Sequence, residues 1–344
     1  MHMADALLSP TVGATFWATS LGTIAWCAKR PKENINEKIV PLMGVLGAFI
    51  FAAQMINFTI PGTGSSGHLG GGMILTILLG PYAGFIVMAS VLIIQALFFA
   101  DGGLLALGCN IWNLGFYPCF IAYPFIYKSL VQGGNPKRVT IASMISAVIA
   151  LQLGAFSVVI ETLLSGRSEL QFGTFLLLMQ PIHLAIGIIE GFITAGVINL
   201  VRTVKPEMET ALLGQSIPVN TSVKRVFAGF LVIAILVGGI LSWFASTNPD
   251  GLEWSIEKVF GKPELPEHEG RLTSFLKMVQ EKIAILPDYD FRNRESSSED
   301  RWPNVGLGTS LSGMIGSIMV LCLIVVLGIG IKLIRQRRVD SDKH

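Results

Sequence analysis

The sequence predicts an all-α polytopic membrane protein: a bundle of about seven helices, followed by two further transmembrane helices. Three observations lead there. Hydrophobic residues fill 51% of the 344 positions and charged residues only 14%, with a mean hydropathy of +0.62, outside the balance of a soluble domain. Apolar runs of about 20 residues recur, the length a helix needs to cross a bilayer. Lysine and arginine cluster in the loops of one side only, as the positive-inside rule requires.

The first run, residues 11–27, is followed rather than preceded by basic residues, Lys29, Arg30, Lys32 and Lys38. That order argues against a cleaved signal peptide and places the N-terminus outside the cytoplasm. Further spans are expected at 40–58, 104–127, 139–161, 174–201, 226–245 and 308–332. Between 69 and 100 the apolar run would suit one very long helix, but Gly80-Pro81 interrupts it, where a continuing helix would lose a hydrogen bond and clash. A short segment over 69–80 and a full span over 82–100 keep Lys128, Lys137 and Arg138 on the cytoplasmic side. The loop 59–68 and the Asp101-Gly102-Gly103 turn then face outward, and the C-terminus lies in the cytoplasm.

Domain organisation follows from composition. Residues 1–201 form the capture bundle, 202–224 a polar cytoplasmic linker with Lys205-Pro206, Gly214 and Pro218, and 225–344 a two-helix accessory module. Its helices flank an extracytoplasmic segment, 246–307, rich in charge, proline and serine. A short amphipathic helix is expected there near Leu272 to Leu286 and little else.

Several function classes drop out. A net charge of +2 from 25 basic and 23 acidic residues leaves no basic face for nucleic acid. The cysteines Cys27, Cys109, Cys119 and Cys322 form no CxxC pair and read as small buried apolar residues. No phosphate-binding GxxxxGK[ST] loop is present.

The histidines point to metal chemistry. His344 is a tail residue, and His268 lies in an acidic, solvated stretch. The charge-derived topology puts His2 and His68 both on the outer side. A free α-amine has a pKa of about 7.7–8.0, so a metal displaces its proton at modest cost. The Met1 amine, the His2 amide nitrogen and the His2 imidazole are consecutive along the chain and close two fused chelate rings on one ion. Such a chelate is planar and suits Ni(II), Cu(II) or Co(II) better than tetrahedral Zn(II). His68, in the flexible run Gly62-Thr63-Gly64-Ser65-Ser66-Gly67-His68, can supply the fourth nitrogen. A bulky second residue such as His2 also keeps the initiator methionine in place. Met1, His2 and His68 are therefore the candidate metal ligands.

Polar residues at membrane depth need partners or a cavity. Gln54, Gln95, Asn110, Asn113, Gln152 and Glu190 are in that position. Asn110 and Asn113, with His183, are candidates to support the site from behind; interhelical hydrogen bonding is their alternative role. Glu190 reads as a structural anchor.

Met1-His2-Met3 with Leu8-Ser9-Pro10, Ser65-Ser66-Gly67-His68, Gln95-Ala96-Leu97 through Asp101-Gly102-Gly103 to Gly108-Cys109-Asn110, and His183-Leu184 through Glu190-Gly191 resemble the nickel/cobalt substrate-binding subunits of energy-coupling factor transporters. The resemblance covers residues 1 to about 201, and Pro249-Asp250-Gly251-Leu252-Glu253-Trp254 looks like the signature of their small accessory subunit, fused behind the larger one. It implies an importer that captures Ni2+ or Co2+ at the outer face of the cell membrane and supplies metalloenzyme or cobalamin synthesis. No organic cofactor is implied. It also implies a chain terminus tucked beside a loop histidine, carried here by Met1, His2 and His68. The implied partners are a transmembrane coupling protein and cytoplasmic ATPase subunits, within membrane lipid. A small-residue face against the coupling protein would use Ala48 and Ala52. Two other classes stay open: an intramembrane enzyme using His183 and Glu190 as acid and base, and a passive metal channel.

Overall fold

The computed structural model describes residues 2–30, 39–132, 135–204, 224–266, 270–291, 303 and 306–341. The first part of the chain comprises α1 (Pro10–Lys29), α2 (Val40–Gln54), α3 (Gly72–Leu79), α4 (Pro81–Phe98), α5 (Leu107–Ile111), α6 (Lys128–Leu130), α7 (Pro136–Leu164) and α8 (Phe172–Val204). The accessory part comprises α9 (Lys224–Gly239), α10 (Gly251–Phe260), α11 (Arg271–Ile283) and α12 (Leu307–Ser341). Pro81–Phe98, Pro136–Leu164, Phe172–Val204 and Leu307–Leu333 are long and apolar enough to cross a membrane by length and composition. Side chains such as Phe125, Leu177 and Phe192 are exposed on the bundle exterior, the arrangement expected of an all-helical membrane protein whose surrounding solvent is lipid.

Local signals set the helix ends. Ser9 caps α1, its hydroxyl accepting from the Val12 N–H at 3.4 Å, and Pro10 supplies the fixed first-turn φ. Gly80, at φ +80°, ends α3 and Pro81 opens α4, so the apolar run divides where the sequence placed the break. The span expected over 104–127 is helical in a different way. α5 continues into α6 as a π-helix over Trp112–Tyr127 that contains Pro118 and Pro124. Each proline lacks the N–H that an α-helix would use, and the wider turn relieves the ring clash.

The loop between α2 and α3 is more ordered than its glycines suggest. Strands β1 (Phe58–Ile60) and β2 (Ser65–Gly67) pair antiparallel, with Phe58 opposite Gly67 and Ile60 opposite Ser65. A third segment joins them from the accessory part: the Ser66 N–H donates to the Pro249 carbonyl at 2.8 Å, and Asp250 bridges Ser66 in parallel.

The segment over 246–307 departs from expectation. It carries α10 as well as α11, and α10 begins with a reciprocal capping box: Asp250 accepts from the Leu252 and Glu253 N–H groups while Glu253 accepts from the Asp250 N–H. At ten residues that helix is too short for periodicity to reveal, although its cap was legible. The segment is fastened to the bundle by Trp254 Nε1 donating to the Thr63 carbonyl at 3.0 Å, the Ser246 N–H to Asn57 O at 2.7 Å, and Arg167 to Pro266 O at 2.6 Å.

α12 packs along α2, with Val320 and Ile324 fully buried and the Ser317 hydroxyl donating to the Ala48 carbonyl at 3.1 Å. Ala48 and Ala52 are themselves buried at 1% and 0% exposure. The face expected to meet a coupling protein is thus covered in this arrangement by the chain's own accessory helix. Of the cysteines, Cys27, Cys109 and Cys119 are buried, whereas Cys322 is exposed on α12.

Candidate functional site

The N-terminal segment ahead of α1 enters the bundle and is held by its backbone. The Met3 N–H donates to Asn110 Oδ1 at 2.8 Å, and the Met3 carbonyl accepts from Asn110 Nδ2 at 3.3 Å and from the Gly103 N–H at 2.9 Å. Met3 is fully buried. Two residues on, Asp5 accepts from the Ala106 N–H at 3.0 Å. This close approach needs glycine: a Cβ on Gly103 would lie 1.8 Å from Asp5 Oδ1 and 2.4 Å from the Asp5 backbone nitrogen.

That clamp carries His2 to the His68 loop. The two imidazoles stack with centroids 5.0 Å apart and planes 23° from parallel. His68 is held from both sides of its loop. Gln54 Nε2 donates to the Gly70 carbonyl at 2.8 Å, and the Glu190 carboxylate accepts from the Gly70 and Gly71 N–H groups at 3.0 and 2.9 Å. Glu190 is the anchor its sequence position suggested.

The hydrogen bonds also fix which ring nitrogens carry the protons. A carbonyl can only accept, so the Gly70 contact presents the Gln54 amide nitrogen and leaves Gln54 Oε1 to accept from Gln95 Nε2 at 2.9 Å. Gln95 Oε1 then faces His2 Nε2 at 3.1 Å, which must carry the proton. The lone pair of His2 is therefore on Nδ1, the ring nitrogen nearer its own backbone amide. By the same logic His68 Nδ1 lies 3.2 Å from the Leu69 carbonyl and must donate, which places the lone pair of that ring on Nε2. Both rings have the tautomer of a metal ligand whose other nitrogen is engaged.

The charges favour a cation between these groups. Asp101 Oδ1 lies 3.4 Å from His2 Nδ1, so a carboxylate faces a lone pair and an intervening positive ion relieves the repulsion. Burial pushes the His2 imidazole below its ordinary value, against the pull of Asp101, and burial holds His68 well below it. Both rings are then neutral near pH 7, the form that binds metal. Beside His2 opens a cavity of about 320 Å³ between bundle and accessory segment, whose lining includes Asp5, Asp101, Asp250, Glu253 and Glu264. Among the described residues no three His, Cys, Asp or Glu side chains group as a ready-made metal cage.

The other sequence candidates fall around this centre. His183 Nδ1 donates to the Met179 carbonyl at 2.8 Å, and the ring lines a small cleft with His68 and Asp250. Asn113 Nδ2 donates to Glu161 at 2.9 Å and approaches the Met3 sulfur at 3.8 Å. Met1, His268 and His344 lie outside the described residues. Sequence reasoning passed over Glu161, which is fully buried with Asn113 and Ser157 as partners, because it sits at the end of its apolar run. It also gave no role to the Gln54–Gln95 pair or to Asp101. The signal for the glutamines was present, since two amides at membrane depth need each other or a cavity.

Similarity to known proteins bears on the whole chain. Residues 2–208 match a family profile described as the cobalt uptake substrate-specific transmembrane region, and residues 224–333 match the PDGLE domain. A putative fused nickel transport protein NikMN of Archaeoglobus fulgidus is 30% identical over 327 residues, covering 94% of this chain and 96% of that one. The fused nickel transport protein NikMN of Rhodobacter capsulatus is 26% identical, with 96% of each chain covered. The crystal structure of a truncated transition metal transporter, 30% identical, superposes with a TM-score of 0.53 over 59% of this chain and 99% of the other. With its fold, its two matched regions and its near full-length relatives, the chain belongs to the cobalt uptake substrate-specific transmembrane family, in a form continued by a PDGLE accessory module.

Proposed function

We propose that the chain is the substrate-capture subunit of an energy-coupling factor importer, taking Ni2+ or Co2+ from the outer side of the cell membrane. The ion is held by the Met1 amine, the His2 amide nitrogen, His2 Nδ1 and His68 Nε2. The observation that carries this reading is the convergence of His2 and His68, whose rings stack with centroids 5.0 Å apart, each with the proton of its other nitrogen held by an acceptor. His2 Nδ1 is the only ring nitrogen that can close a six-membered ring with its own amide nitrogen. Four nitrogens around one ion form the planar set that Ni(II) accepts. Asn110 and Gly103, which grip Met3, keep the terminus in register with His68.

A transmembrane coupling protein and cytoplasmic ATPases supply the energy, and residues 225–344 complete the outer face. The names of the fused relatives and the match of both family regions support the joining of the two parts in one nickel-transport chain. Placing one residue ahead of Met1 tests the coordination. The extension replaces the amine by an amide and shifts the chelate by one position, so bound metal and its planar absorption band should both be lost. Unchanged metal binding by the extended protein refutes the coordination.

A further inference from the structure

We propose that Tyr289, in the accessory module, is a positioning residue for the metal site, holding the Asp101 carboxylate so that its other oxygen faces His2 Nδ1. The proposal rests on the reading of His2 as a ligand, and it assigns the accessory module a direct part in setting the ligand geometry.

The contact begins with backbone docking. After α11 the chain turns against the C-terminal end of α4: the Ile285 and Leu286 N–H groups donate to the Phe98 carbonyl at 2.9 and 3.3 Å, and the Asp288 N–H to the Phe99 carbonyl at 2.9 Å. Gln280 adds a second clamp, its Nε2 donating to the Ala96 and Gly102 carbonyls at 2.9 and 2.8 Å. These bonds grip the turn that carries Asp101 from both sides. The Tyr289 ring stacks on Phe99 with centroids 5.1 Å apart and meets Phe51 edge-on at 6.2 Å. Its hydroxyl donates to Asp101 Oδ2 at 2.5 Å, while Asp101 Oδ1 lies 3.4 Å from His2 Nδ1. Burial, with the charge of Asp101 beside it, raises the Tyr289 hydroxyl well above its ordinary value, so it stays a donor.

A purely structural tyrosine would need only the stack. The backbone shows a more specific demand. Among the described residues the non-glycine positions with positive φ are Ala100 at 55°, Asp288 at 52° and Tyr289 at 61°, and all three lie at this junction. Left-handed backbone at side-chain-bearing residues is uncommon and persists where surrounding contacts over-determine it. Here both partners of one hydrogen bond, or their immediate neighbours, adopt it. The conformation turns the Tyr289 hydroxyl towards Asp101 and Asp101 towards His2, linking the Asp101 turn of the first part to a residue 188 positions away.

The test is a double-mutant cycle on the full chain in detergent, with Ni2+ alone as the probe. Tyr289→Phe keeps both ring contacts and removes only the hydroxyl. Loss of such an outer partner weakens metal affinity by about tenfold or more, and the Ni2+ absorption band should shift as the Asp101 carboxylate is no longer fixed beside the ion. Asp101→Asn should weaken binding too, and adding Tyr289→Phe to it should cause a smaller loss than Tyr289→Phe causes alone, because the hydroxyl acts chiefly through the carboxylate and otherwise touches only Gln95. Equal losses in both backgrounds, or wild-type affinity and spectrum for Tyr289→Phe, overturn the positioning role. His2→Ala separates the two readings. If it abolishes binding while Tyr289→Phe changes nothing, the metal site stands and the role of Tyr289 falls; if His2→Ala binds normally, both fall. Thermal melting of each variant identifies a folding defect, and a Tyr289→Phe protein that melts normally yet binds weakly is the expected result.

Discussion

Replacing Asn110 by alanine should weaken metal binding while leaving the bundle folded. Its amide oxygen is the acceptor for the Met3 N–H at 2.8 Å, and its amide nitrogen donates to the Met3 carbonyl at 3.3 Å, at a position only 1% exposed. The carbonyl keeps a second donor, the Gly103 N–H at 2.9 Å. The Met3 N–H keeps none in the docked terminus but finds water once undocked. Stranding a buried donor costs about 1–3 kcal/mol. That cost weighs on the docked, metal-competent arrangement alone, so the apparent affinity for Ni2+ should fall about 5- to 150-fold at 1.4 kcal/mol per tenfold. Asn110→Asp is the discriminating companion: it retains the oxygen that Met3 needs but sets a second acceptor against the Met3 carbonyl, so it should bind more tightly than Asn110→Ala only when its carboxyl is protonated and can donate. Titration of purified protein with Ni2+, followed by absorption, measures both. An Asn110→Ala affinity within about twofold of wild type, with unchanged melting, would show that the clamp on Met3 does not govern the site.

Two further outcomes follow from the same structure. In the metal-free protein the His2 and His68 rings should titrate below the ordinary imidazole value of 6.5, because burial lowers both. Since the unfolded chain then binds more protons below pH 6.5, the contribution of these rings to stability is present above that pH and lost as the pH falls through the window beneath it. Nuclear magnetic resonance of labelled histidine, paired with melting curves from pH 7.5 to 5, checks the sign, and a midpoint above 6.5 for either ring would contradict it. At the contact between α9 and α12, a Cβ on Gly313 would lie 2.4 Å from the Gly238 carbonyl oxygen. Backbone cannot rotate away as a side chain can, so Gly313→Ala should destabilise the accessory helix pair by about 1–3 kcal/mol. Protease sensitivity of the segment between them reports it, and unchanged resistance would count against a close backbone crossing.

How much of this was legible in the sequence depends on the range over which each signal acts. Gly80-Pro81 marked the division of the long apolar run because a proline break is local, and the basic loops ordered the spans because charge cannot hide in lipid. His2 and His68 could be paired without coordinates, since topology put both at one end and their chemistry was the same. The short α10 escaped because ten residues give too few turns for a periodic stripe, although Asp250 and Glu253 spelled its cap. Tyr289 carried no signal at all. Its importance arises from a left-handed turn and a carboxylate nearly two hundred residues earlier, neither of which composition or spacing encodes.

The same contrast explains the accessory module. Read as sequence, 246–307 is charged and proline-rich, the composition of a loosely held loop. Its order comes from outside itself: Pro249 and Asp250 lie against β2, Trp254 reaches the Thr63 carbonyl, and Tyr289 reaches Asp101. Those attachments fall on the two turns that present His68 and face His2, and the cavity of about 320 Å³ beside His2 lies between them. A segment that is ordered by the ligand-bearing turns must in return constrain them, since a contact free energy is shared by both of its partners. Substitutions in the accessory segment should therefore register as changes in metal affinity and spectrum, even though the candidate ligands all lie in the first part of the chain.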